Sequence, residues 1–143
     1  MTGSRPDWLL WAVLSACFAA LTAVFAKLGV KGVDPDLATL YRTIVILLVL
    51  GIMVGAKGEL FSLTRLNTHT LLFLTLSGLA TGASWVCYFR ALNLGNASRV
   101  APVDKLSVVL VAVFGVTFLG ERLSLANWAG IALIAFGAWL VTI

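Results

Sequence analysis

The sequence predicts an all-α, polytopic membrane protein with five transmembrane helices. Of its 143 residues, 61% are hydrophobic and 11% are charged, whereas charged residues make up roughly 25% of a typical soluble domain. The apolar residues fall into runs close to the roughly 20 residues that a helix needs to cross a bilayer. These runs are unbroken, whereas transmembrane β-strands alternate apolar and polar residues over about 10 positions. The predicted spans are residues 8–27, 37–56, 70–89, 100–120 and 125–143.

Residues suited to capping helix N-termini stand before four of these spans. Asp34 is followed by Pro35, Asn67 precedes the third span, and Ser98 and Ser124 precede the fourth and fifth. Side-chain oxygens at such positions accept hydrogen bonds from free backbone amides, and proline suits the first turn of a helix. The caps support helices as the spanning elements.

The first span contains a short sequence that resembles a bacterial lipoprotein cleavage site, Leu-Ser-Ala-Cys at residues 14–17. The chain after Cys17 continues as apolar helix instead of a polar tether, so we expect a transmembrane span here. Cys17 and Cys87 are both predicted to be small packing residues. With His69 as the only histidine, the sequence predicts no metal site and no cofactor.

The ten basic residues are spread along the chain singly or in pairs. They form no basic patch, so we expect no nucleic-acid partner. Lys and Arg near span ends favour the cytoplasmic side of a membrane and thereby set orientation. The two predicted faces carry almost equal numbers: Arg5, Lys57, Arg65 and Arg122 on the N-terminal face, against Lys27, Lys31, Arg90 and Arg99, with Arg42 as a possible fifth, on the other.

This balance predicts dual topology, in which copies of the chain insert in both orientations. Two oppositely oriented copies would form a ten-helix bundle with a two-fold axis in the membrane plane, an architecture common among secondary transporters. The alternative is a single orientation that one or two dominant charges decide.

The second half of the chain carries a family resemblance. Residues 88–102 read Tyr-Phe-Arg-Ala-Leu-Asn-Leu-Gly-Asn-Ala-Ser-Arg-Val-Ala-Pro, an apolar helix follows over 106–119, and residues 120–124 read Gly-Glu-Arg-Leu-Ser. This combination resembles the second half of an EamA domain, the repeat unit of the drug/metabolite transporter superfamily. Residues 35–42 are similar to the start of the family's second helix.

The resemblance covers essentially the whole chain and implies a single EamA-type five-helix unit over residues 1–143. Longer family members carry two such repeats, inverted relative to each other, in one chain of ten helices. This chain is similar to the short five-span bacterial and archaeal branch, for which the resemblance implies an antiparallel homodimer in the cell (inner) membrane. It also implies export or exchange of small metabolites.

Asp104 and Lys105 are the first candidate site residues, because ionisable groups inside a membrane tend to face a cavity or one another. If the fourth helix begins near Arg99, Lys105 lies about 9 Å along it. In one interpretation, Lys105 attracts anions into a central cavity and Asp104 modulates or competes with that attraction. In the other, Lys105 extends its side chain to the membrane interface and Asp104 forms a cap or hydrogen bond locally. Consecutive helical residues do not face each other, so we do not expect a direct pair.

Arg42, on the second span, is predicted to share a membrane face with Lys27, Arg90 and Lys105. Such a cation cluster at each mouth of an inverted dimer would draw in carboxylates or phosphates. Anchoring to lipid phosphates is the alternative, which we favour for Lys27 and for Arg99.

Trp85 and Tyr88 lie three residues apart and therefore share a helix face. They could contact a ring-bearing substrate, or they could simply pack within the bundle. The candidate substrate-binding set is Lys105, Asp104, Arg42, Trp85, Tyr88 and Arg90.

These features predict a secondary transporter, an exporter or exchanger, for a small anionic or zwitterionic metabolite, which acts in the lipid bilayer as an antiparallel homodimer. The first span lacks an acidic residue between Asp7 and Lys27, and four-span multidrug exporters of the superfamily depend on one, so lipophilic cations are not expected as substrates. The alternative function is a non-transporting subunit, or a flippase-type partner, of a second five-span protein. No nucleophile or base constellation indicates an enzyme.

Overall fold

A computed structural model describes residues 7–59 and 66–143, and all regular structure in these residues is helical. Three long helices and the pair α4 and α5, taken together as residues 97–118, are long and apolar enough to cross a membrane, while α6 is a shorter apolar helix. The predicted all-α membrane fold is therefore confirmed. The helices are α1 (Asp7–Gly29), α2 (Pro35–Ala56), α3 (Thr68–Leu94), α4 (Ala97–Asp104), α5 (Ser107–Phe118) and α6 (Leu125–Leu140).

Three of the four predicted caps are present. Asp34 Oδ1 accepts hydrogen bonds from two backbone amides in the first turn of α2. Asn67 Oδ1 accepts from the amide of His69, and Ser124 Oγ accepts from the amide of residue 127. The prediction for Ser98 is wrong, because α4 begins at Ala97 and Ser98 lies in its first turn. The N-cap position is Asn96, whose side chain makes no capping hydrogen bond.

The fourth predicted span, residues 100–120, corresponds to a membrane-length apolar segment over residues 97–118, but the helix within it is interrupted. A turn at Lys105 and Leu106 separates α4 from α5. Pro102 lies inside α4, and proline supplies no amide hydrogen and clashes with the carbonyl four residues before it. Beyond it the amides of Leu106, Val108 and Val109 each donate to the carbonyl three residues back, at 3.0 Å, as in a 3₁₀ turn.

Replacing Pro102 with Ala is expected to extend regular α-helix through this break. Amide exchange at residues 105–109, measured in detergent micelles, should slow by about fivefold, because i→i−4 hydrogen bonds would replace the poorer i→i−3 bonds of the 3₁₀ turn, a gain of about 1 kcal/mol. Pro35→Ala, in the first turn of α2, is the control and should leave these amides unchanged. Unchanged exchange in Pro102→Ala would show that proline does not cause the break.

The helices form two compact units. In the α2–α3 unit, Ala26–Leu94, α2 packs against α3, and Val30, Thr39, Phe89 and Leu92 are buried.

The α4–α6 unit combines α1 up to Phe25 with Gly95–Ile143. In it α6 packs against α4 and α5, and Ala138 is buried. In both units many large apolar side chains are exposed, as expected for helices that face lipid hydrocarbon.

Candidate functional site

Arg42 is the centre of the candidate site and lies over two aromatic rings of α3. Its Cζ atom is 4.4 Å from the ring centroid of Trp85 and 5.4 Å from that of Phe89. Residues four apart on a helix lie one above the other on the same face, so the two rings form a continuous aromatic surface. A cation within about 6 Å of a ring centroid is attracted to the ring face. The rings therefore hold the guanidinium at the interface between α2 and α3.

No carboxylate of the described residues lies within 4.0 Å of the Arg42 guanidinium nitrogens. The two nearest acids in sequence are both engaged, because Asp34 caps α2 and Asp36 pairs with Arg90. Arg42 is half-buried and stands seven residues after Pro35, or about 10 Å along α2. A charge at such a depth in a membrane is costly unless it has a partner or faces water.

Asp36 and Arg90 form a two-point ion pair between the first turn of α2 and the C-terminal part of α3. Arg90 Nη2 donates to Asp36 Oδ2 at 2.8 Å, and Nε donates to Oδ1 at 3.2 Å. Both side chains remain more than half exposed. Arg90 was a predicted substrate-binding residue, and its charge is already matched by a carboxylate. The pair joins the same two helices that carry Arg42 and its two rings.

Breaking this pair with Asp36→Asn is expected to lower the thermal unfolding temperature in detergent slightly, because an exposed ion pair contributes little to stability. The exchanged double variant, Asp36→Arg with Arg90→Asp, should recover most of that loss. Additive losses in the double variant would contradict a direct link between the two side chains.

Lys27, at the C-terminal end of α1, donates a hydrogen bond from Nζ to the backbone carbonyl of Leu92 at 2.6 Å. That carbonyl lies in the last turn of α3, where terminal carbonyls lack helical donors and a cation is favourable. The sequence alone favours lipid phosphates as the partners of Lys27. The structure gives it a partner inside the protein, the carbonyl of Leu92. This hydrogen bond ties the end of α1 to the end of α3.

Trp85 and Tyr88 are both half-buried, but Arg42 lies over the ring of Trp85 and that of Phe89. The ring of Tyr88 meets Phe89 edge-on, with the centroids 6.5 Å apart. Phe89 was absent from the predicted set, and its four-residue spacing from Trp85 is the signal that could have identified it.

Asp104 and Lys105 lie in the α4–α6 unit, whereas the other four predicted site residues lie in the α2–α3 unit. Lys105 Nζ is 3.2 Å from Asp104 Oδ2, so the expectation that these two would not pair is wrong. That expectation assumed a continuous helix, and α4 ends at Asp104, so Lys105 stands in the turn.

The α2–α3 unit thus presents a positively charged, aromatic-supported group whose hydrogen-bond donors suit an oxyanion. A guanidinium carries five N–H donors in a planar fork, which matches the geometry of a carboxylate or phosphate at two points. The aromatic rings attract the positive charge, but they offer no oxygen that could accept hydrogen bonds from these N–H groups.

Comparison with known proteins assigns the chain to a family. The model of the EamA-like transporter family matches residues 7–143. The chain belongs to this family. A protein from Sinorhizobium sp., named as an uncharacterized transporter in the cobO 3′ region, is 60% identical over 137 residues, which cover 96% of this chain and 97% of that protein. No solved structure matches the chain significantly. The chain is therefore a multi-pass membrane protein of a transporter family.

Proposed function

We propose that this EamA-family protein transports a small anionic or zwitterionic metabolite across the inner membrane of a bacterium or archaeon, as an antiparallel homodimer. The observation that carries the proposal is Arg42, a half-buried guanidinium inside a span, over Trp85 and Phe89, with no ion-pair partner among the described residues. A substrate carboxylate or phosphate would supply the missing negative charge.

The neighbouring charges support an anion at this position. Asp36 neutralises Arg90, and Asp34 is held by the backbone amides that it caps. The local carboxylates are therefore committed elsewhere, and Arg42 is left to attract a mobile anion. Arg90 and Tyr88 would border the path to it.

Lys105 and Asp104 are proposed as a second contact on the transport path. Their pairing at 3.2 Å lowers the net charge of that segment, and the lysine side chain is more than half exposed. An incoming anion could replace Asp104 as the ion-pair partner of Lys105.

The antiparallel homodimer is supported by the balance of basic residues between the two predicted faces. Two of the residues in that count, Arg5 and Arg65, lie outside the described residues. Pairing two inverted copies would restore the ten-helix architecture that longer family members build from one chain.

Reconstitution of the purified protein alone into liposomes tests the transport function. Labelled pyruvate, leucine and glycerol 3-phosphate serve as a monocarboxylate, a zwitterion and a phosphate ester, and tetraphenylphosphonium serves as the lipophilic-cation control. Uptake of at least one of the first three above protein-free liposomes is expected, with none of the control. If none enters until a second five-span protein is added, the alternative function as a partner subunit is favoured.

Dual topology predicts that a terminal cysteine is reachable from outside in about half of the molecules. Single cysteines at Ser4 and at Thr142, in a background without Cys17 and Cys87, would be labelled in intact cells with a membrane-impermeant thiol reagent. Half labelling at both sites is the expected result. Full labelling at one site and none at the other would exclude the self-inverted dimer.

A further inference from the structure

We infer that the protein is an obligate anion exchanger, because Arg42 prevents the empty carrier from closing. The inference rests on the proposed function and concerns its anionic substrates. It assigns Arg42 two roles, since the residue would bind the substrate and would also couple movement of the carrier to the presence of substrate.

The argument begins with the charge of Arg42. Its guanidinium lies about 10 Å along a membrane span over two aromatic rings, and no described carboxylate reaches it within 4.0 Å. While water reaches this position, hydration stabilises the charge. A transporter that alternates between two sides passes through a closed state around its substrate, and with the substrate at Arg42, as proposed, closure would remove that water.

Removing water from an unpaired ion is strongly unfavourable, whereas an ion held by an opposite charge and hydrogen bonds avoids much of this penalty. The aromatic rings attract the guanidinium but do not neutralise it. A bound carboxylate or phosphate does both, since it carries negative charge and accepts the guanidinium N–H groups. The loaded carrier should therefore close readily, and the empty carrier should close slowly.

A lipid phosphate could supply the same oxyanion as a soluble substrate. If it reached Arg42, the empty carrier would already be neutralised and would return as fast as the loaded one. The ratio of exchange to net transport therefore distinguishes the two sources.

The test uses the purified protein in liposomes with [¹⁴C]pyruvate and [¹⁴C]glycerol 3-phosphate outside. Exchange is uptake into liposomes preloaded with the same unlabelled anion, and net transport is uptake into liposomes that contain buffer alone. Valinomycin and equal potassium concentrations hold the membrane potential at zero, so that charge build-up does not itself suppress net uptake. Rates are taken after the first turnover, because one loaded transit is possible without an empty return.

Wild-type exchange is expected to exceed net uptake by about 100-fold, which corresponds to ~2.7 kcal/mol in the barrier for empty return. Arg42→Lys keeps the charge, so both rates should fall together and the ratio should stay high. In Arg42→Gln exchange should fall by about 100-fold, while net uptake stays within about threefold of wild type, because the empty return is no longer blocked.

Equal exchange and net uptake in the wild type would overturn the inference and leave the proposed function intact. A proportional loss of both fluxes in Arg42→Gln, with Arg42→Lys retaining a high ratio, would show that Arg42 binds substrate but does not control the empty return, which also overturns it. Failure of both anions to enter preloaded liposomes would contradict anion transport itself.

Discussion

Replacing Arg42 with Gln is expected to lower exchange transport of carboxylates or phosphates by about 100-fold. Removing one member of a desolvated charge pair typically costs 2–5 kcal/mol, and glutamine offers neither the charge nor the two-point donor geometry of arginine. The exchange rate of Arg42→Lys should lie between those of Arg42→Gln and wild type, since lysine keeps the charge as a compact ammonium but loses the planar fork. Uptake into liposomes preloaded with the same unlabelled anion, at equal protein density and after the first turnover, measures both effects.

The matched control is Arg99→Gln, in α4 of the other compact unit, which changes the net charge by the same amount. Arg99 is exposed near the start of α4, so its loss should change uptake by less than about twofold. Comparable losses in Arg42→Gln and Arg99→Gln would attribute the effect to overall charge or orientation and would contradict a specific role for Arg42.

Replacing Trp85 with Ala is expected to raise the substrate concentration for half-maximal uptake by about tenfold. The ring face that lies 4.4 Å from Arg42 Cζ would be lost, and a cation–π contact contributes roughly 0.5–2 kcal/mol. Trp85→Phe retains a ring face, so its substrate concentration for half-maximal uptake should be close to that of wild type. Maximal uptake should change less than apparent affinity, because Trp85 acts by positioning Arg42.

Trp128→Ala, on α6, is the control for the loss of a large aromatic side chain. It should leave the apparent affinity unchanged, since residue 128 belongs to the other compact unit. If Trp85→Ala lowers maximal uptake with no change in apparent affinity, the ring supports the fold alone and does not position Arg42.

The spanning helices were predictable because hydrophobic length is a local property of the sequence. The caps at Asp34, Asn67 and Ser124 were predictable for the same reason, since each depends on amides two or three residues away. The break after α4 was missed although Pro102 is visible in the sequence. Counting apolar residues does not register a missing amide hydrogen, and the residues around the break are apolar enough to read as one span.

Residue type identified Arg42, Trp85 and Arg90 as candidates, but their partners depend on tertiary structure. Asp36 and Arg90 are 54 positions apart, and nothing local indicates that they meet. Lys27 binds a backbone carbonyl 65 positions away, and side-chain patterns carry no information about such a partner. The sequence therefore indicated which groups were available, while the fold pairs Arg90 with Asp36 and places Arg42 over Trp85 and Phe89.

The central claim, that an anion binds at Arg42, is tested most directly by the fluorescence of Trp85. A variant that keeps Trp85 as its single tryptophan has Phe at positions 8, 11, 128 and 139, and is titrated in detergent with pyruvate and with glycerol 3-phosphate. Because Arg42 lies over this ring, neutralising its charge should change the emission in a saturable way, and adding Arg42→Gln should abolish the response. No saturable change with either anion, or the same change after Arg42→Gln, would contradict the account.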